Sequence, residues 1–274
     1  MPLLFGPAGV PHASKERSTV GGIKTVKELG LDAMEVQFVR GVKMGEETAR
    51  NVGEIADSLG VVLSVHAPYY INLNAGEEKK IQDSIDRLIA SSRIGNIFNA
   101  RNIVFHAGYY LKSSKEKAYQ RIREGIMRVL EYIDQNNLNV VLRPETTGKP
   151  TQFGELDELL QLSSELDNVL PCVDFSHIHA RYRRYNSYEE FCELLEKIEK
   201  TLGKEALKDM HMHVSGIDYG LKGEKSHLNL NESDFRYKEL LKALKDFGVE
   251  GILICESPNL EEDALMLKKE YEAL

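Results

Sequence analysis

Eight short runs rich in Val, Ile, Leu and Phe, separated by longer segments of helical periodicity, constrain this chain more than any other feature. The runs fall at 3–6, 33–38, 61–66, 102–107, 139–145, 169–174, 209–214 and 251–256. Between them, segments such as EEKKIQDSIDRLIASSRIGNIF, KEKAYQRIREGIMRVLEYIDQ and YEEFCELLEKIEKTLG place apolar residues at i, i+3, i+4 and i+7, the spacing of one buried helix face. Strand followed by helix, repeated eight times within 274 residues, is the period of a closed parallel barrel. The expected fold is therefore α/β, a single-domain (β/α)8 TIM barrel over residues 1–274. LGLDAME and LGVVLSVH put a glycine between an apolar run and the next strand, where glycine stops helices. Residues 217–234, after the seventh strand, form the longest connection without strong periodicity. Long barrel loops on that side usually serve function.

Composition narrows the class. No stretch approaches the roughly 20 apolar residues of a bilayer span, so no membrane association is expected. The opening MPLLFGPAGVPHASKER lacks the basic flank and apolar segment of a secretory signal, which leaves a cytoplasmic location as the expectation. Cys172, Cys192 and Cys255 are too few for a disulfide framework and read as reduced and mostly buried. A net charge of −8 argues against a generally basic nucleic-acid surface, although divalent cations in one pocket would invert the local field. The helices carry no sustained heptad, so a monomer is expected.

Certain histidines and carboxylates fall in register with the strands. His66 closes the third run, His106 the fourth, Glu145 the fifth, Asp174 the sixth, His213 the seventh and Glu256 the eighth. In a parallel barrel all these ends converge on one face. A lone histidine at a strand end is usually a hydrogen-bonded polar residue, and a lone glutamate an ordinary surface charge. Six in succession are different, because clustered carboxylates in a low-dielectric mouth need nearby cations to stay ionised. His177 and His227 extend the set. Mixed imidazole and carboxylate ligation suits zinc, manganese or iron better than magnesium or calcium. Eight ligands exceed what one ion uses, so two or three divalent ions bridged by a carboxylate are expected. Such paired ions suit phosphoryl transfer. His211 shares a strand face with His213 and reads as a partner behind it, whereas His179 and His12 read as loop-stabilising or exposed.

HAPYYINL (66–73), NIVFHAG (102–108), PETTGKPTQFG (144–154), CVDFSHIHA (172–180), HMHVSG (211–216), GEKSHLNL (223–230) and CESPNL (255–260) resemble, in order and spacing, the endonuclease IV family of abasic-site nucleases within the xylose-isomerase-like barrels. The likeness runs over almost the whole chain. It implies a first zinc on His66, His106 and Glu145, and a second on Glu145, Asp174, His213 and Glu256. His177 and His227 resemble two ligands of a third ion, whose remaining ligand in the family is an Asp two positions before the last His. Here that position is Lys225, in Glu-Lys-Ser-His, which leaves three alternatives: substitution by Glu224, reliance on water, or a site empty or differently occupied. Tyr69 resembles the family's lesion-contacting tyrosine, with a loop aromatic as its bland alternative. In 36–43 only Arg40 offers a group comparable to the family's inserted residues.

The resemblance implies hydrolysis of the phosphodiester 5′ to an abasic site in double-stranded DNA, within base-excision repair. A hydroxide held between two ions would attack, with Glu145 as the catalytic bridge. Two other classes compete. A sugar isomerase or epimerase of the same barrel group needs only Glu145, Asp174, His213 and Glu256 around one ion. A metal-stabilised protein that binds damaged DNA without cutting it is the third, and Lys225→Asp is the substitution meant to complete its missing site.

Overall fold

In the computed structural model, which describes residues 2–274, the alternation becomes a closed barrel. The strands are β1 (Leu3–Pro7), β2 (Ala33–Gln37), β3 (Val62–His66), β4 (Asn102–Phe105), β5 (Val141–Pro144), β6 (Cys172–Asp174), β7 (Met210–Val214) and, after a hairpin, β10 (Gly251–Cys255). Parallel pairing runs β2-β3-β4-β5 and β6-β7-β10-β1. Parallel bridges Ala8–Glu35 and Glu145–Cys172 join the two arcs. At the first seam a side chain on Gly6 would meet the Ala33 carbonyl oxygen at 1.9 Å, so only glycine lets the strands approach.

Helices α1 (Thr19–Glu28), α2 (Glu46–Leu59), α3 (Glu78–Ile97), α4 (Lys115–Gln135), α5 (Leu156–Glu165), α6 (Phe175–Tyr182), α7 (Tyr188–Leu202), α8 (Tyr237–Asp246) and α9 (Glu261–Glu272) surround the strands. α4 illustrates their logic: Ala118, Ile122, Ile126, Val129 and Ile133 are buried along one stripe. Ser114 caps its start by accepting from the Lys117 amide, a contact worth about 1 kcal/mol. Gly60, left-handed at φ 65°, ends α2 as its sequence position suggests. The main core lies between strands and helices, while Ala33, Ile252 and Ile254, with Leu4 and Val62 against them, fill the barrel interior. No helix among the described residues is long and apolar enough to cross a membrane.

Three expectations need correction. Residues 217–234 are not aperiodic: β8 (Gly216–Gly220) and β9 (Gly223–Leu228) form an antiparallel hairpin, followed by a 3₁₀ turn at Leu230–Glu232. Its alternation is hidden because a register shift interrupts the pairing. The strands are shorter than the apolar runs, so His106, Glu145 and Glu256 lie one residue beyond β4, β5 and β10. And β6 passes directly into α6, a helix that the periodicity did not reveal.

Candidate metal centre

Register explains why the ligands meet. Side chains alternate along a strand, and partners across parallel strands share a face. Gln37 pairs with His66, His66 with Val104, Val104 with Arg143, Asp174 with His213, and His213 with Ile254. Stepping by two along each strand puts His66, His106, Glu145, Asp174, His213 and Glu256 in one inward-facing set at the carboxyl ends. α6 adds His177, one turn from Asp174, whose Oδ1 caps the helix by accepting from the His177 amide at 2.7 Å. The hairpin adds His227.

Of four close donor groups, one, Cys172, His211 and His213, is wholly buried one step deeper along β6 and β7, and three reach the mouth. His66, His106 and Glu145 form one; Glu145, Asp174, His213 and Glu256 a second; His177, Glu224 and His227 a third. Glu145 is buried and belongs to two. Its Oε2 lies 3.2 Å from His66 Nε2 and 2.9 Å from His106 Nε2. His213 Nδ1 stands 3.5 Å from both Glu145 Oε1 and Glu256 Oε1. All eight expected ligands are therefore brought together.

In the third group it is Glu224, one of the alternatives, that stands beside His177 and His227. In the hairpin Asp218 faces Ser226 but Tyr219 faces Glu224, so Lys225 is the extra residue of a β-bulge. Residues three apart in a regular strand point to opposite faces, and one extra residue returns them to the same face. Glu224 therefore sides with His227, and its oxygens come within 3.7 Å of His177 Nε2 and 4.0 Å of His227 Nε2. Lys225 reaches outward to Asp218 at 3.2 Å, so Lys225→Asp is not the change that completes this group. Gly148 makes the room, because a Cβ there would meet Glu224 Cβ at 2.6 Å.

The donor chemistry fits cations. A carbonyl can only accept, so an imidazole nitrogen facing one carries the hydrogen and leaves the other nitrogen a lone pair. His66 Nδ1 donates to Ala67 O at 2.8 Å, His177 Nδ1 to Thr146 O at 3.0 Å, and His227 Nδ1 to Glu256 O at 3.2 Å. All three thus turn Nε2 to the mouth, and His177 Nε2 and His227 Nε2 face each other at 3.1 Å. Glu145 Oε1, Asp174 Oδ2 and His213 Nδ1 are buried without a hydrogen-bond partner among the described residues, and all belong to the second group. Such orphaned atoms are costly unless something else satisfies them.

In the metal-free protein, protons take the cations' place. Burial opposes charge on His66, but its hydrogen bond to Glu145 and the charges of Glu145, Glu35 and Glu256 together outweigh that and push it up to about 9. Burial also opposes charge on His177 and His213; Asp174 raises His177, and Cys172 and Glu35 raise His213. Burial works against ionised Glu145, yet His106 and His213 hold it well below the ordinary carboxylate range. His213 similarly outweighs burial at Glu256 and brings it down to about 2. Asp174 alone goes up, chiefly through burial.

Tyr69 is 57% exposed at the rim, its ring 5.9 Å from that of His66. Its amide donates to Val39 O at 3.2 Å, which brings the loop carrying exposed Arg40 alongside. His179 is a loop anchor, with Nδ1 donating to Arg184 O at 3.0 Å; exposed His12 contacts Pro258 O at 2.9 Å. The cysteines are free, and Cys172 and Cys255 are buried. Sequence reasoning missed Glu35, a fully buried carboxylate below the ligands. A glutamate in the middle of an apolar strand run was its available signal.

A family model described as a xylose isomerase-like TIM barrel matches residues 23–274. An uncharacterized protein of Methanocaldococcus jannaschii is 52% identical, covering 99% of this chain and 98% of its own length. A probable endonuclease 4 of Mycoplasma mobile is 28% identical over 94% of this chain and 88% of its own. Among solved structures, a D-tagatose 3-epimerase-like protein (19% identity, TM-score 0.76, covering 100% and 97%) and endonuclease IV of Thermus thermophilus (20%, 0.73, covering 100% and 98%) share the fold.

Proposed function

This chain belongs to the xylose isomerase-like TIM barrel family, and we propose that within it the protein is a metal-dependent endonuclease, a phosphodiesterase cutting 5′ to abasic sites in duplex DNA. The observation that carries this reading is the number of cation positions open to the mouth: of four close donor groups, three include a residue that solvent reaches, and two of those three share Glu145, whereas the fourth, Cys172, His211 and His213, is wholly buried. An epimerase needs only the four-residue group and has no use for His66, His106, His177, Glu224 and His227.

His66, His106 and Glu145 would hold one ion, Glu145, Asp174, His213 and Glu256 a second, and His177, Glu224 and His227 a third. Zinc fits this donor set best, with manganese next. Bound there, the ions supply Lewis acidity to a phosphodiester. Glu145 orients the attacking water and takes up its proton. His106, His227, Glu224 and Glu256, the ligands with appreciable solvent exposure, mark where the scissile group enters. Tyr69 and Arg40 bind the strand at the rim. Exposed Arg40, Lys43, Lys112, Arg183 and Lys222 lie on loops at this face without a carboxylate partner among the described residues, which supports a polyanionic substrate despite the net charge.

The test is incubation of zinc- or manganese-reconstituted protein with a duplex carrying one abasic analogue, followed by analysis of the cut ends. Incision 5′ to the lesion, lost in Glu145→Gln, is the expected result. Lesion binding with no cleavage under any of these metals would leave a binding protein. No incision, one ion per chain and turnover of a ketose would instead establish the epimerase reading.

A further inference from the structure

We propose that Glu35 is a positioning residue: by accepting the Nε2 hydrogen of His213 it fixes that ring in the tautomer whose Nδ1 faces the Glu145–Asp174–Glu256 cation. The inference rests on the metal reading above and concerns a residue outside its ligand groups.

Glu35 is buried at the centre of β2, where an isolated carboxylate would be costly. Four donors surround it. Oε2 accepts from Ser64 Oγ at 2.9 Å and His211 Nε2 at 2.9 Å, Oε1 accepts from Gln37 Nε2 at 3.1 Å, and His213 Nε2 faces both oxygens, 3.1 Å from Oε1 and 3.3 Å from Oε2. A carboxylate so supplied stays ionised. An ionised carboxylate can only accept, so His213 Nε2 must donate, and Nδ1 is the nitrogen left to hold a proton or, in its place, a cation. That atom is one of the buried nitrogens without a hydrogen-bond partner among the described residues, and it is 3.5 Å from Glu145 and Glu256. A histidine joining a carboxylate to a metal is held at both nitrogens, which fixes its orientation and raises its basicity as a ligand.

His211 completes the device from the same strand. Its Nε2 donates to Oε2, which also accepts from Ser64 and faces His213 Nε2, so the carboxylate cannot rotate away from His213 without losing His211 and Ser64. The lining of the barrel below the ligands is thus a polar layer with its own hydrogen-bond order. Beneath it Ala33, Ile252 and Ile254 close the interior.

The experiment is zinc titration, by competition with a chromophoric chelator, of the wild type, Glu35→Gln and His211→Gln, with the melting temperature of each metal-free protein as the folding control. Glu35→Gln offers one acceptor oxygen and sets an amide N–H against two donors. It should weaken zinc at the Glu145–Asp174–His213–Glu256 position about 10- to 100-fold and spare the other positions. His211→Gln, which leaves the Glu35–His213 contact in place, should change zinc affinity far less. Equal zinc binding by wild type and a folded Glu35→Gln would overturn the inference and leave the metal reading standing. No zinc at that position in the wild type would sink both.

Should Glu35→Gln fail to fold, long-range ¹H–¹⁵N correlation spectra of the zinc-loaded wild type decide instead. Expected are a protonated Nε2 and a metal-shifted Nδ1 for His213; zinc on Nε2 would overturn the proposal. So would an additional ion that disappears in Cys172→Ser, since Cys172, His211 and His213 are close enough to share a metal, and an ion there would replace the hydrogen bonds described.

Discussion

Both ends of the barrel gather ionisable side chains, and they differ in how those groups are satisfied. At the amino-terminal end of the strands every close pair is of opposite sign: Lys268 with Asp32 at 2.7 Å, Lys208 with Glu250 at 2.9 Å, Arg101 with Asp209 at 2.9 Å. Arg143, buried inside the barrel, donates to Asn102 Oδ1 and to the Asp209 carbonyl and lies 3.2 Å from the Asp209 carboxylate. A cavity of about 900 Å³ at this end is lined by Asp32, Lys208, Lys245 and Lys268 among others, and these four are already paired or hydrogen-bonded. At the carboxyl-terminal end, carboxylates and imidazoles converge on one another, and three buried atoms of one group stand near opposite charges yet have no hydrogen-bond partner among the described residues. The first arrangement is complete as protein alone. On the proposed reading the second becomes complete when cations enter, and that difference would separate a structural ion-pair network from a reactive site with equally perturbed groups.

The comparison breaks most decisively at Glu145. Glu145→Gln should cost more than about 100-fold in incision, beyond the loss typical of an outer partner, and should lower bound zinc measured by atomic absorption. Its counterpart below is Arg143→Met, which takes the donors from Asn102 Oδ1 and the Asp209 carbonyl while Arg101 keeps the Asp209 carboxylate; it should cost about 3 kcal/mol in a denaturant melt and leave zinc stoichiometry unchanged. If Arg143→Met emptied the metal positions of a folded protein, the two ends would not be independent.

Gly148→Ala sharpens the contrast within the mouth. The new methyl displaces Glu224, so one zinc per chain should be lost by stoichiometry while the ions held through Glu145 remain. Retention of full zinc would mean that Glu224 is not a ligand.

Protons and metal should trade places with pH. His66 goes from the ordinary 6.5 up to about 9 in the folded metal-free protein. A raised pKa contributes stability that is fully present below about pH 6.5 and is lost as pH climbs through about 9. The metal-free melting temperature, followed by calorimetry, should therefore fall across that window, whereas zinc affinity should rise because protons stop competing for the same lone pairs. A flat metal-free profile would remove His66 from the proton-for-metal exchange.

The smallest effect is expected at Lys225. Its exposed pair with Asp218 contributes at most about 1 kcal/mol, so Lys225→Ala should leave melting temperature, zinc content and incision nearly unchanged. A lost ion would overturn the bulge as the account of Glu224.

Much of this was legible along the chain because it is periodic. Alternating apolar runs and amphipathic segments specify parallel strands and covering helices, and the ligands appear at strand ends because the barrel aligns those ends. Strand lengths were less legible: Pro171 and the short β6 show that an apolar run outlasts the pairing that defines a strand. α6 escaped notice because eight residues, nearly all buried, carry no amphipathic period.

What the sequence by itself determined was the barrel and its ring of His66, His106, Glu145, Asp174, His213 and Glu256, since both depend on local periodicity and on parity along each strand. Tertiary structure alone decided that Glu224 rather than Lys225 faces His177 and His227, and that Glu35 backs His213. The first depends on a bulge in strand pairing and on space left at Gly148. The second depends on β2 and β7 turning their side chains into the same barrel interior. Contacts between residues 148 and 224, or 35 and 213, arise only when the chain closes, because no local period relates positions that far apart.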